Sequence, residues 1–187
     1  MPFIELSSSQ VTTLRDLATE SIEYGLTHGC ALPVQPLVYA DPLQWVRATF
    51  VTLSKDNELR GCIGTLVAQD PLVVDVVNHA YAAAFQDPRF PALGAHEMAA
   101  ITLEISILTM PEHFPVASEA DLIRQVEPGV DGLVLASGVC KGTFLPAVWD
   151  QLPDPESFIH HLKLKAGLPA QGWPDDIRVL RYQAQKI

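Results

Sequence analysis

Leu59-Arg60-Gly61-Cys62-Ile63-Gly64 follows the polar turn Lys55-Asp56-Asn57-Glu58. The stretch from Val46 to Ser54, just before that turn, is rich in β-branched and aromatic residues. Together they predict a β-hairpin whose second strand carries the cysteine. Alternate residues of a strand share a face, so Leu59 and Ile63 are expected to enter a core. Arg60 and Cys62 then point together to the other side. A guanidinium beside a thiol favours the thiolate, which is the reactive and metal-binding form. Gly61 and Gly64 have no side chain to hold backbone or ligand away. The same spacing equally suits a small apolar cysteine in a sheet, with the glycines placed by a bulge or twist.

Working outward from the hairpin, helix signals alternate with strand signals. Val11, Leu14, Leu17, Ala18 and Ile22 recur at helical steps after Ser7-Ser8-Ser9, and Gly29 is a natural stop. Pro33, Pro36 and Pro42 make residues 30–43 an irregular connector. Asp70 and Pro71 are read as N-cap and first residue of a helix over 71–86, ended by Asp87-Pro88. Ile101 to Leu108 alternates apolar and polar residues as a half-buried antiparallel strand does. Ser118-x-x-Asp121 resembles a capping box for a short helix to about Val126. Gly132 to Ser137 and Lys141 to Leu145 read as strands around Gly138. Pro155 to Ala166 reads as a helix capped by Gly167, and Ile177 to Tyr182 as a last strand. Hairpin-linked strands interrupted by helices define an α+β fold with a mainly antiparallel sheet flanked by helices.

The composition narrows the function classes. At 187 residues, 48 % of them hydrophobic and 18 % charged, the chain suits one domain with a real core, spanning 1–187. No apolar run reaches the ~18–20 residues of a membrane span, and the N-terminus lacks a signal-peptide pattern, so a cytoplasmic protein is expected. Cys30, Cys62 and Cys140 cannot all pair within one chain, which favours free thiols. A formal charge of −10 with scattered basic residues speaks against nucleic-acid binding.

Common enzyme signatures are absent: there is no G-x-G-x-x-G, Walker loop, H-E-x-x-H or G-x-S-x-G. Four constellations remain. Arg60, Cys62 and Glu104 all fall on the non-core faces of their strands, so Glu104 can pair with Arg60 or act as a base near Cys62 if the strands are neighbours. Asp87-Pro88-Arg89-Phe90 either aims a guanidinium at a cleft, with Phe90 as an aromatic anchor, or ends the helix with Asp87 paired to Arg89 and Phe90 plugging the core. The histidines lack ligand spacing, and no metal site is expected; Cys62, His79 and Glu104 are the distant residues from which one could be assembled. Lys163 and Lys165 either line an anion pocket or are solvated.

The chain resembles the AMMECR-domain family, known in bacteria and archaea as AmmeMemoRadiSam system protein A. The resemblance rests on Leu59-Arg60-Gly61-Cys62-Ile63-Gly64, on Ala82-Ala83-Ala84-Phe85 with Asp87-Pro88-Arg89-Phe90-Pro91, and on Glu104-Ile105-Ser106-Ile107-Leu108. Glu127 to Leu133, Thr143-Phe144-Leu145-Pro146 and Lys163 to Leu168 continue it, in one order over about residues 10–182. It implies a two-lobed α+β domain with a cleft at the signature strand, and partners in a Memo-like protein and a radical SAM protein. It names no cofactor and no reaction. On this reading Cys62 is the candidate reactive thiol, Arg60 favours its thiolate, and Glu104 is the candidate base. Gly61, Gly64, Asp87, Arg89 and Lys165 are the candidate contacts of a small anionic substrate. The alternative is a binding module whose cleft grips a partner or small ligand while Cys62 merely packs.

Overall fold

The computed structural model describes residues 3–187. Its helices are α1 (Ser8–His28), α2 (Asp41–Gln44), α3 (Leu72–Phe85), α4 (Glu119–Gln125) and α5 (Pro155–Ala166). Its strands are β1 (Thr49–Lys55), β2 (Glu58–Gly64), β3 (Ile101–Leu108), β4 (Glu112–His113), β5 (Gly132–Ser137), β6 (Cys140–Phe144), β7 (Arg178–Tyr182) and β8 (Ala184–Lys186). These form two four-stranded sheets, ordered β2-β1-β3-β8 and β4-β7-β5-β6. The pairings of β1, β5 and β7 with their neighbours are antiparallel, so the fold is α+β as the element pattern predicts. Among the described residues no helix is long and apolar enough to cross a membrane. The chain divides into two compact units: the chain up to Met110 with Gln185–Ile187, and Pro111–Ala184.

In the first unit, α1 and α3 cover one face of the β2-β1-β3-β8 sheet. Leu14, Ile22, Val51, Leu53, Val73, Val76, Ile105 and Ile107 are all buried in one cluster. Ser7 opens α1 with a reciprocal capping box to Gln10, and Gly29 closes it at φ 70°. The hairpin turn holds Asp56 and Asn57 at φ 54° and 65°, the left-handed pair that a two-residue hairpin requires.

The helix start at α3 differs from the expectation. Its N-cap is Pro71, not Asp70, because Pro71 forms an isolated bridge with Val46 and the Leu72 N–H donates to Trp45 O. The connector over 30–43 is also less irregular than its prolines suggest. Pro36 opens a 3-10 turn over Pro36–Val38, and Pro42 sits in the first turn of α2, both sites where a fixed φ and a missing N–H cost nothing.

In the second unit, α5 packs on the β4-β7-β5-β6 sheet. Trp149 stacks on Phe158 with ring centroids 3.7 Å apart, and Phe144 meets Phe158 edge-on at 5.2 Å. Gly142 lets β6 approach α5, since a Cβ there would lie 2.7 Å from the Ala166 backbone. The strands β4 and β8 were not anticipated, being only two and three residues long.

Candidate functional site

The pairing register decides where the signature side chains go. Leu53 pairs with Gly61 but Ser54 pairs with Leu59, so Arg60 is an extra residue in β2, a β-bulge. The bulge inverts the alternation beyond it. Gly61 and Ile63 face the core opposite Leu53 and Val51, and Cys62 faces away opposite Thr52. Leu59, expected in the core, instead shares the outward face of Ser54 and is 45 % exposed. Gly61 is a packing requirement: a Cβ there would lie 2.1 Å from the Ala83 carbonyl oxygen of α3. At Gly64 a Cβ would meet Thr49 O at 2.3 Å. Both glycines therefore permit close approach of this protein's own backbone.

Cys62 lies on an edge strand, and its outward backbone groups are held by side chains. Asp87 Oδ2 accepts the Cys62 N–H at 2.9 Å, and Arg89 Nη2 donates to Cys62 O at 3.2 Å. Asp87 and Arg89 are themselves joined three times, Nε to Oδ1 at 2.9 Å, Nη2 to Oδ2 at 2.7 Å and the Arg89 N–H to Oδ1 at 3.1 Å. The pairing of Asp87 with Arg89 expected of a helix-ending turn is thus observed, whereas Phe90 is half-buried and stands outside the core cluster. Asp87 is buried, yet its hydrogen bonds from Arg89 outweigh desolvation and hold its carboxyl well below the usual range. Reciprocally, Asp87 raises the pKa of Arg89, and Cys62 adds to that effect. The thiol is half-buried, with the Thr52 hydroxyl 3.3 Å from Sγ.

Arg60 is placed elsewhere. Its Nε and Nη2 donate to Glu97 Oε1 and Oε2 at 3.1 and 3.0 Å, a two-pronged ion pair. Glu97 also receives Lys55 Nζ and the Gly94 N–H. With hydrogen bonds from Arg60 as the largest cause, its carboxyl is held far below the usual range. Arg60 Nη1 is buried without a partner. Phe90 lies under both guanidiniums, 6.0 Å from Arg60 Cζ and 5.5 Å from Arg89 Cζ. The cation that touches Cys62 is therefore Arg89, and Glu97, which the sequence analysis did not single out, is the partner of Arg60.

Glu104 is not beside Cys62. Thr52 pairs with both, Cys62 on one side and Glu104 on the other, so β1 separates them. Two strand spacings put their backbones roughly 10 Å apart. The condition attached to a Glu104 base, that β2 and β3 be neighbours, is not met; Glu104 pairs with Lys186 at 3.3 Å.

In the second unit the two lysines part company. Lys163 is fully buried, and its ammonium donates to Glu119 Oε2 at 2.6 Å and to the carbonyls of Ala170 and Gly172. All three of its donors are used, which leaves none for an anion. Lys165 is exposed with Nζ 5.0 Å from the Phe144 ring centroid. Two cavities of about 430 and 440 Å³ lie in this unit, one lined by His113, Phe114 and Val179 among others, one by Glu119, His160 and His161 among others. Among the described residues no group of three or more His, Cys, Asp and Glu side chains could hold a metal ion, so Cys62, His79 and Glu104 do not converge.

Two antiparallel sheets, helices packed on them, and a clamped cysteine on a bulged edge strand define the class of α+β protein. Comparison with known proteins gives the family. The AMMECR1 family model matches residues 15–187. A protein of Methanothermobacter thermautotrophicus is 38 % identical over 187 residues, covering 99 % of this chain and 97 % of its own. A protein of Thermofilum pendens is 35 % identical over 193 residues, covering 96 % and 90 %. The crystal structure of the uncharacterized protein PH0010 from Pyrococcus horikoshii superposes with a TM-score of 0.81 at 34 % identity, covering 93 % of this chain and 88 % of that one. The chain belongs to the AMMECR1 family.

Proposed function

We propose that this chain is a substrate-handling component working with a Memo-like protein and a radical SAM protein in the cytoplasm, and that Cys62 is the thiol that meets the substrate. The observation that carries this reading is the Asp87–Arg89 clamp, which fixes both outward backbone groups of Cys62. A nucleophile works best when its backbone is already held in the productive geometry. The partners follow from the family resemblance, and the location from the three free thiols, which suit a reducing compartment.

Arg60 is committed to Glu97, whereas Arg89 contacts Cys62 and is 53 % exposed at its side chain. Asp87 and Cys62 use Nε and Nη2, which leaves Nη1 of the Arg89 guanidinium to donate to an anionic substrate group.

A second reading follows from the charge balance. Each of the two guanidiniums is neutralised by a carboxylate of this chain, as expected of a non-catalytic module in which the signature strand is scaffolding. Complementation of a deletion strain separates the two. Cys62→Ser is isosteric and keeps the backbone clamp, so failure of the folded variant to complement supports the thiol. Full complementation would leave the binding module as the function.

A further inference from the structure

A buried polar group outside the Cys62 clamp has no part in the function proposed above. Asp75 of α3 is 3 % exposed and faces the sheet. Its Oδ2 accepts the hydroxyl of Thr49, a fully buried residue of β1, and lies 3.0 Å from His79 Nδ1, one turn along the helix. The Thr49 hydroxyl is also 3.3 Å from that ring nitrogen. A carboxylate can only accept, so Nδ1 carries a hydrogen and a neutral His79 ring has its lone pair on Nε2.

The other end of the ring is free of such contacts. The His79 side chain is 16 % exposed, and among the described residues Nε2 has no hydrogen-bond partner. A lock between helix and sheet needs only Thr49 and Asp75. Orienting an imidazole with a buried carboxylate, and leaving its second nitrogen accessible, is how proteins present a histidine base or acceptor. Ala83, one turn further along the same helix face, supplies the carbonyl on which Gly61 packs. His79 therefore stands on the stretch of α3 that runs along the signature strand.

We propose that His79 is a proton-accepting contact for a small ligand that presents a weakly acidic hydroxyl or N–H, with Asp75 and Thr49 as positioning residues. The ligand proton moves to Nε2 while the bonding pair stays on the ligand atom, and Asp75 offsets the imidazolium that forms. Nothing is oxidised or reduced in this step. The assignment does not depend on the reactivity of Cys62.

Nitrogen-15 NMR of the histidine-labelled protein, at a pH above the usual imidazole range, reads the tautomer directly. The expected result is a protonated Nδ1 and an unprotonated Nε2 at His79. Diethyl pyrocarbonate, mapped by mass spectrometry on the folded protein, is expected to modify His79 at Nε2, and Asp75→Ala, which removes the acceptor of Nδ1–H, to lower that modification as the tautomer is released. A protonated Nε2 in the wild type, or modification of His79 only after unfolding, would overturn the proposal. The wild-type spectrum decides even if Asp75→Ala fails to fold, and Cys62→Ser is expected to leave both readouts unchanged.

Discussion

Asp87 Oδ2 accepts the backbone N–H of Cys62 at 2.9 Å, across 25 residues of sequence. With the Arg89 guanidinium on Cys62 O, the two side chains give the outer edge of β2 the partners that a neighbouring strand would give. Such an edge is otherwise a site for unwanted pairing between chains. The clamp thus has two consequences, a fixed thiol and a closed edge.

Removing the acceptor should show both. Asp87→Ala strands a buried N–H and frees Arg89, and a lost buried hydrogen bond of this kind costs about 2 kcal/mol. Urea unfolding should report that loss, and light scattering should report increased self-association. Asp87→Asn keeps an acceptor oxygen and should lose less.

The close approach at Gly61 gives a sharper contrast. Gly61→Ala puts a methyl group 2.1 Å from Ala83 O, so α3 must lift from β2. Forced overpacking of this kind costs about 3 kcal/mol. Gly138→Ala meets nothing within 4 Å and strains only a φ of 54°, so it should cost about 1 kcal/mol. Chemical denaturation of the two variants side by side measures the difference.

Acid should unfold the first unit through two identifiable carboxylates. Asp87 and Glu97 are both held below their ordinary values of 3.8 and 4.5, chiefly by hydrogen bonds from Arg89 and Arg60 respectively. A depressed carboxyl stabilises the fold above its unfolded pKa, and that stability drains away as pH falls towards the folded one. Stability should therefore decline below about pH 4.5. Glu97→Gln should be less stable at neutral pH and show a flatter acid limb, as read from urea midpoints across a pH series.

Lys163 and Lys165 should behave oppositely. Lys163→Met leaves the Glu119 carboxylate and the carbonyls of Ala170 and Gly172 without their shared donor, which costs about 3 kcal/mol. Lys165→Met removes an exposed cation over Phe144 and should stay within about 0.5 kcal/mol of wild type. Thermal melts of both variants provide the comparison.

Local rules carried the sequence reading a long way. The α1 cap at Gly29, α5 from Pro155 to Ala166, and β5 from Gly132 to Ser137 are each marked by punctuation or periodicity within the segment itself. Strand alternation puts Cys62 off the core face, as observed, but puts Leu59 on the wrong face, because a bulge leaves no mark in composition. The start of α3 moved by one residue since Pro71 is held by a bridge to Val46, far away in sequence.

Legibility of the site followed the same division. The Asp87–Arg89 pair was readable as a turn, whereas its grip on Cys62 needed the fold. Glu97 lies in an unremarkable stretch, and only its half-buried position between Lys55 and Arg60 reveals its importance. Asp75-x-x-x-His79 did carry a signal, since a carboxylate and an imidazole four residues apart share a helix face.

Alkylation in the native protein shows whether Cys62 is a held and reachable thiol. Iodoacetamide labelling followed by peptide mass spectrometry gives its rate beside that of Cys30, which is exposed, and beside its own rate in denaturant. The account predicts that folded Cys62 is labelled at least as fast as Cys30. Labelling of Cys62 that appears only on unfolding would contradict it and leave the signature strand as scaffolding.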